Sequence, residues 1–268
     1  MKIHFKKQFG QNFLINSKYI MNLVDSLHLE DNDTVLEIGP GHGAVTEILL
    51  NRCRKVMTVE IDDDFVEYLN NRFRSYVLNQ RLQIIHKDIL YLNIPEIIRD
   101  KNYKAVGSLP YNISKKIIRN FIESNKRPLI MSFIVQKEVA LDYTAIPPKA
   151  TFLSNFIKIF CRAKFIKVVP KECFKPEPKV DGAIIYFEAR KYIMKDYDKF
   201  IRFLKSSFLN PRKMLVNNLS AIYRIEKEEL RKFLEKIDIN QNIRASELEF
   251  NRWISLYNYI NREKQTFQ

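Results

Sequence analysis

The chain has 268 residues, 46% of them apolar, enough to bury one large core or a medium core with a small appendage. A net charge of +14, from 45 Lys and Arg against 31 Asp and Glu, implies an acidic partner, with nucleic acid ahead of a membrane surface. Three widely spaced cysteines (Cys53, Cys161, Cys173) and four histidines without ligand spacing exclude a disulfide framework and a His/Cys metal site, and no apolar run reaches the length of a membrane span. A cytoplasmic protein with no membrane anchor and no bound metal is expected.

The first stretch, MKIHFKKQFGQNFLIN, interleaves Lys2, Lys6 and Lys7 with Phe5, Phe9, Phe13 and the amides Gln8, Gln11 and Asn12. It reads either as a plain tail or as a segment that touches phosphates and closes over a ligand. Ser17 is placed to cap a helix whose Ile20, Leu23, Val24 and Leu27 recur at helical spacing. Asp33 to Ile38 is a buried-strand pattern, and Gly39-Pro40-Gly41-His42-Gly43 leads from it into a helix from Ala44 to about Cys53. A glycine turn between strand and helix lets the backbone approach a ligand. Its G-x-G-x-G spacing differs from the G-x-G-x-x-G that suits a dinucleotide pyrophosphate.

A second strand, Lys55 to Glu60, ends in an acid able to accept from both hydroxyls of a ribose, and its charge would repel a 2′-phosphate. After a helix from Asp64 to about Ser75, a third strand (Leu82 to His86) leads to Asp88. Asp88 reads as a turn cap or as an acceptor for an adenine amine, and its place on the same rim as Gly39 and Glu60 favours the ligand role. Ligands of open α/β sheets bind at that carboxyl rim.

The fourth strand runs into Ser108-Leu109-Pro110-Tyr111, followed by a helical run from Lys115 to Ile122. Alone, these four residues read as a strand-to-helix turn. On the shared rim they become a device for a planar amine. The Ser108 side chain and the Leu109 carbonyl accept from its N–H bonds, Pro110 fixes the backbone, and Tyr111 offers a ring to a base. Ile130 to Val135 is a fifth strand, Gln136 to Val139 opens a helix, and Ala150 to Phe160 is a further helical run. Lys164 to Val169 is strand-like, the proline-rich Phe174 to Asp181 is a stiff extended loop, and Gly182 to Glu188 is a strand. Phe174 is placed either to present a second ring to a base or to start a rigid connector.

This β/α alternation predicts a mostly parallel sheet covered on both faces. From about Arg190 only helices follow (Asp196 to Phe208, Arg212 to Leu219, Glu226 to Lys236, Ser246 to Ile260), so a catalytic domain over 1–189 and a small basic helical domain over 190–268 are expected. The corner Asn210-Pro211-Arg212-Lys213 is the candidate phosphate contact of the second.

Taken together, KKQFGQNFL (from Lys6), LEIGPGHGAVTEIL (from Leu36), VEID (from Val59), LPYNIS (from Leu109), QKEVA (from Gln136), FKPEPKVD (from Phe174), NPRKMLVNNL (from Asn210) and IRASEL (from Ile243) occur in the order that marks one family. The chain resembles the rRNA adenine N6,N6-dimethyltransferases, and within them the small-subunit (16S) rRNA enzymes of the KsgA group.

The resemblance implies a Rossmann-like α/β fold that binds S-adenosylmethionine, with a small C-terminal all-helical domain that binds rRNA. It implies that Gln11, Asn12 and Leu14 close over the cofactor, that Gly39 and Gly41 approach its methionine part, that Glu60 and Ile61 hold the ribose, and that Asp88 and Ile89 hold the adenine. Ser108, Leu109, Pro110, Tyr111 and Phe174 would hold and activate the acceptor amine, with Ser108 also touching the cofactor. The implied product is N6,N6-dimethyladenosine at two adjacent adenosines of the 3′-terminal small-subunit hairpin. The implied partner is the pre-ribosomal small subunit, met by a monomer. One position departs from the family pattern: asparagine is usual where this chain has Ser108, whose hydroxyl is shorter than an amide carbonyl and must also place its own proton.

Overall fold

The computed structural model describes residues 11–100, 102–191, 194 and 196–266. Lys2 to Phe9, expected to meet phosphates, lie outside the described residues. The chain forms two compact units, Met1–Leu141 with Cys161–Ala189, and Asp142–Phe160 with Arg190–Gln268.

The first unit opens with β1 (Phe13–Leu14) and α1 (Ser17–Asp25). The cap of α1 is Asn16 rather than Ser17: its extended backbone (φ −88°, ψ 114°) lets the side-chain oxygen accept from Lys18 N, and Ser17 is already helical. There follow β2 (Thr34–Ile38), α2 (Ala44–Leu50), β3 (Lys55–Glu60), α3 (Asp63–Arg72), α4 (Arg74–Leu78) and β4 (Leu82–His86). A 3₁₀ turn (Ile89–Tyr91) and α5 (Ile94–Ile97) lead to β5 (Lys104–Ser108), α6 (Ser114–Glu123), β6 (Ile130–Gln136) and α7 (Lys137–Thr144). Next come α8 (Phe152–Phe160) of the second unit, then β7 (Cys161–Val169), β8 (Phe174–Lys175) and β9 (Gly182–Ala189).

Seven strands make one sheet in the order β4-β3-β2-β5-β6-β9-β7. The first five are parallel, and β9 and β7 add antiparallel, with an irregularity between Phe165 and Lys167. Every residue of β2 is buried, as a central strand with both faces covered requires. Strand order reverses between β2 and β5, which opens a crevice at their carboxyl ends. At the opposite end of β5, Lys104 is buried, and its Nζ donates to the His28 carbonyl at 2.6 Å and to Asp33 Oδ2 at 2.7 Å. A separate two-stranded sheet pairs Phe13 with Lys175 and Leu14 with Phe174, and Ile15 N extends it to the Cys173 carbonyl.

The second unit adds α9 (Tyr197–Ser207), α10 (Leu215–Tyr223), α11 (Lys227–Lys236) and α12 (Phe250–Thr266). Its core holds Phe200, Phe203, Leu219, Leu230 and Trp253. The helix expected from Arg212 starts at Leu215, because Met214 bridges to Arg244 and Leu215 N donates to the Ile243 carbonyl. Residues 142–160, read with the sheet, group with the helices instead: the Phe160 ring meets Tyr197 edge-on and its carbonyl accepts from Arg190 N. No helix among the described residues is long and apolar enough to cross a membrane.

Candidate active site

A cleft of about 450 Å³ lies at the carboxyl ends of β2, β3, β4 and β5. Its walls bring together residues distant in the chain: Gln11, Asn12 and Leu14 from the N-terminal segment, Gly39 after β2, Glu60 and Ile61 at the end of β3, Asp88 and Ile89 after β4, and Ser108, Leu109, Pro110 and Tyr111 after β5. Two expected residues do not line it. Gly41 faces the Phe13 ring, where a Cβ would lie 2.5 Å from Phe13 Cδ1, and it reaches the site through its N–H to Glu60. Phe174 is 3% exposed and packs in the core, because β8 is held against β1. Its ring is therefore not part of the cleft lining. The Tyr111 and Phe174 side chains converge on Gly182, where a Cβ would lie 2.9 Å from Tyr111 Oη and 3.1 Å from Phe174 Cζ.

Glu60 is buried, and burial lifts its carboxyl above the usual carboxylate range. Three backbone N–H groups oppose that rise. Oε1 accepts from Ile61 N at 2.9 Å and Asp62 N at 3.0 Å, while Oε2 receives only the long 3.4 Å contact from Gly41 N. Oε2 thus keeps acceptor capacity toward the cleft. Of the two readings of Asp88, the structure shows the turn cap, and it places the residue in the cleft wall. Its Oδ1 accepts from Leu90 N at 2.8 Å, which caps the 3₁₀ turn, and its second oxygen remains open. Gln11 Nε2 donates to Asp62 Oδ2 at 3.2 Å, and Gln11 Oε1 is buried with no partner among the described residues. A buried amide oxygen without a donor is costly unless a ligand supplies one. These open acceptors, set around a glycine turn, suit a nucleoside that carries a cationic amine.

In the loop after β5, Leu109 N donates to the Ile134 carbonyl at 3.0 Å. The Pro110 carbonyl takes Ile113 N and the Tyr111 carbonyl takes Ser114 Oγ, so the turn is held from within. Gly107 precedes it because a Cβ there would meet the Ile38 carbonyl oxygen at 2.5 Å. No group of three or more His, Cys, Asp or Glu side chains among the described residues is placed to hold a metal.

Glu37 was not among the expected residues, although a lone acid inside a strand covered on both faces is a visible signal. It lines the cleft, is 2% exposed, and accepts from Thr46 Oγ1 at 2.6 Å. Burial pushes its carboxyl from 4.5 up to about 8 against that hydrogen bond, and the nearby Glu60 charge adds to the rise. The folded state therefore holds this proton where the unfolded chain releases it. The stability it contributes is fully present below pH 4.5 and is lost as pH rises through about 8. Glu37→Gln should accordingly melt close to the parent at about pH 4.5 and above it at about pH 9, by on the order of a few kcal/mol. Parallel melting curves for the two proteins across that range would remove the buried proton from the account.

The model of the family described as ribosomal RNA adenine dimethylase matches residues 2–262. Ribosomal RNA small subunit methyltransferase A of Fusobacterium nucleatum subsp. nucleatum is 34% identical over 263 residues, covering 96% of this chain and 97% of that protein. The protein of the same name from Mycoplasma mobile is 33% identical and covers 97% and 100%. Among solved structures, a dimethyladenosine transferase from Plasmodium falciparum matches with a TM-score of 0.79 at 22% identity, over 94% of this chain and 98% of that one. The 23S rRNA methyltransferase ErmE matches with a TM-score of 0.78 at 21% identity, over 93% and 100%. These last two likenesses establish the Rossmann-like methyltransferase fold. With a family model spanning nearly every residue and relatives a third identical end to end, the chain belongs to the ribosomal RNA adenine dimethylase family.

Proposed function

We propose that this protein transfers methyl groups from S-adenosylmethionine to N6 of two adjacent adenosines in the 3′-terminal hairpin of small-subunit (16S) rRNA, giving N6,N6-dimethyladenosine during small-subunit biogenesis. The observation that carries the reading is the meeting of Glu60, Asp88 and the Ser108–Tyr111 loop in one cleft. That cleft holds acceptors for a nucleoside beside acceptors for a second, planar amine.

When bound, the cofactor supplies a methyl group on a positively charged sulfur, already activated for transfer. The protein's part is positioning. Glu60 Oε2 accepts from ribose hydroxyls, Ile61 and Ile89 give apolar walls, and Asp88 accepts from the adenine amine. Gln11 Oε1, with Asn12 and Leu14, closes over the methionine part beside the glycine turn. On the acceptor side, Ser108 Oγ and the Leu109 carbonyl accept from N6. They draw the amine toward tetrahedral geometry and aim its lone pair. Pro110 holds the loop. The Tyr111 ring supports the extruded base. Phe174 acts as a positioning residue, holding the Tyr111 ring in the wall.

The catalytic domain is assigned to the sheet unit, 1–141 with 161–189, and rRNA binding to the helical unit, 142–160 with 190–268, acting as a cytoplasmic monomer on the pre-ribosomal small subunit. The corner 210–213 is fully exposed, with Arg212 and Lys213 outward, and Asn218 Nδ2 pins it by donating to the carbonyls of Ser207 and Asn210 at 3.0 Å each. A fixed, exposed basic corner suits phosphate contact.

The test is methyl transfer from labelled S-adenosylmethionine to unmethylated small and large subunits, with mass mapping of the 3′ hairpin. Label should enter the small subunit as two dimethylated adenosines. Glu60→Ala should weaken cofactor binding about 10- to 100-fold by calorimetry, the scale of hydrogen bonds to a charged group. No transfer where the cofactor binds, or transfer to the large subunit alone, would overturn the proposal.

A further inference from the structure

Tyr91 is 82% exposed, more than any other large apolar side chain among the described residues. Its backbone is nonetheless fixed. The 3₁₀ turn that carries it begins at Asp88, whose carbonyl accepts from Tyr91 N at 3.1 Å and whose side chain accepts from Leu90 N at 2.8 Å. Asp88, Ile89 and Leu90 line the cleft, so the ring stands one residue beyond its wall.

On the other side, α6 starts directly after the Tyr111–Ile113 lining. It buries Ile117, Ile118, Phe121 and Ile122 and exposes Lys115, Lys116 and Arg119. Lys116 Nζ lies 6.0 Å from the centre of the Tyr91 ring, so lysine and ring bridge the two walls at the mouth of the site. A separate shallow recess of about 370 Å³ lies nearby, lined by residues that follow the 3₁₀ turn and by α6. It shares Ile89 with the main cleft and carries the amides Asn93 and Asn120.

A ring this exposed buries little apolar area for the fold. A ring set beside a cation is what single-stranded nucleic acid uses, because every base has a face to stack and every linkage a phosphate. We propose that Tyr91 and Lys116 form a subsite for the nucleotide next to the target adenosine, with its base stacked on Tyr91 and its phosphate drawn to Lys116. This rests on the reading of the cleft as an RNA adenine methylation site and adds the feature that holds the strand while one base is extruded. The occupant is single-stranded RNA, favoured over a protein by the chain's +14 charge and by the ring standing one residue beyond the cleft wall.

Two measurements on the full-length protein test it. The first is methyl transfer to unmethylated small subunits. The second is fluorescence anisotropy with a short single-stranded RNA carrying two adjacent adenosines, which reads the subsite even if no methyl is transferred. Tyr91→Ala should weaken RNA binding about tenfold and raise KM for the RNA by more than it changes kcat or cofactor affinity. Tyr91→Trp should bind at least as well as the parent, and Lys116→Ala should reduce the salt slope of RNA binding by about one. Unchanged RNA affinity in Tyr91→Ala overturns the subsite. So does a loss confined to whole subunits with oligonucleotide binding intact, which would mark Tyr91 as a contact for a ribosomal protein. Failure of the parent to methylate, with the Tyr91 effect on binding retained, would instead overturn the proposed reaction.

Discussion

Tyr111→Ala is expected to lower turnover about 100-fold while changing cofactor affinity less than about threefold. The ring is half-buried in the cleft wall, and removing it would take away the surface proposed to stack the base. The hydroxyl has no such role. Its oxygen is buried without a partner among the described residues, and burial, with the Asp181 charge adding, pushes the phenol up to about 12. It stays neutral near pH 7. Tyr111→Phe therefore keeps the ring, removes an unpaired polar atom and should retain most of the activity. Single-turnover rates and calorimetry on the two variants separate the possibilities. Equal losses of rate and cofactor affinity in Tyr111→Ala, or a Phe variant as slow as the Ala variant, would refute stacking as the role.

The second large effect, on stability, is expected at the other end of the same strand. Lys104→Ala should destabilise the first unit by about 1–3 kcal/mol, because it removes a buried ammonium that serves two acceptors, while the half-buried Asp33 carboxylate keeps the donor Glu30 N. The lysine side chain is 8% exposed and that of Asp33 is 20% exposed. The single ammonium group serves both the Asp33 carboxylate and the His28 carbonyl, which is held by a residue with φ of +48°. Denaturant unfolding followed by a probe in the sheet unit reads the loss, and a change below about 1 kcal/mol would show that water replaces the ammonium. Since the pair lies at the opposite end of β5 from the cleft, the folded variant should bind cofactor as the parent does.

The parallel half of the sheet is legible in the sequence because β2, β3, β5 and β6 are almost wholly buried and read as mainly apolar runs between turn residues. That patterning also places Gly39, Glu60, Asp88 and Ser108 at strand ends, and strand ends of one parallel sheet share a rim. What escapes is whatever depends on contacts far apart in sequence. Two-residue strands such as Phe13–Leu14 and Phe174–Lys175 have no periodicity to detect, so neither their pairing nor the burial of Phe174 could be read. Residues 142–160 carry an apolar helical run like those of the sheet unit, and nothing local says that it groups with the C-terminal helices. Asn16 and Ser17 are both good caps, and only backbone conformation separates them. Glu37 could have been noticed as a charge in a buried strand, but its proton depends on Thr46 and Glu60 standing beside it.

The chain contains only six glycines, and the five that are described all sit in the cleft or against it. Gly39, Gly41 and Gly43 make the turn after β2, Gly107 lies under the Ile38 carbonyl, and Gly182 leaves room for Tyr111 and Phe174. At Gly41, Gly43, Gly107 and Gly182 an added methyl group would meet a neighbouring atom within 3 Å, whereas Gly39 has room and is held by its φ of +65°. Position 182 is the clearest case. Substitution there is not free but tied to 111 and 174, so a larger residue could enter only alongside compensating change in both aromatic rings.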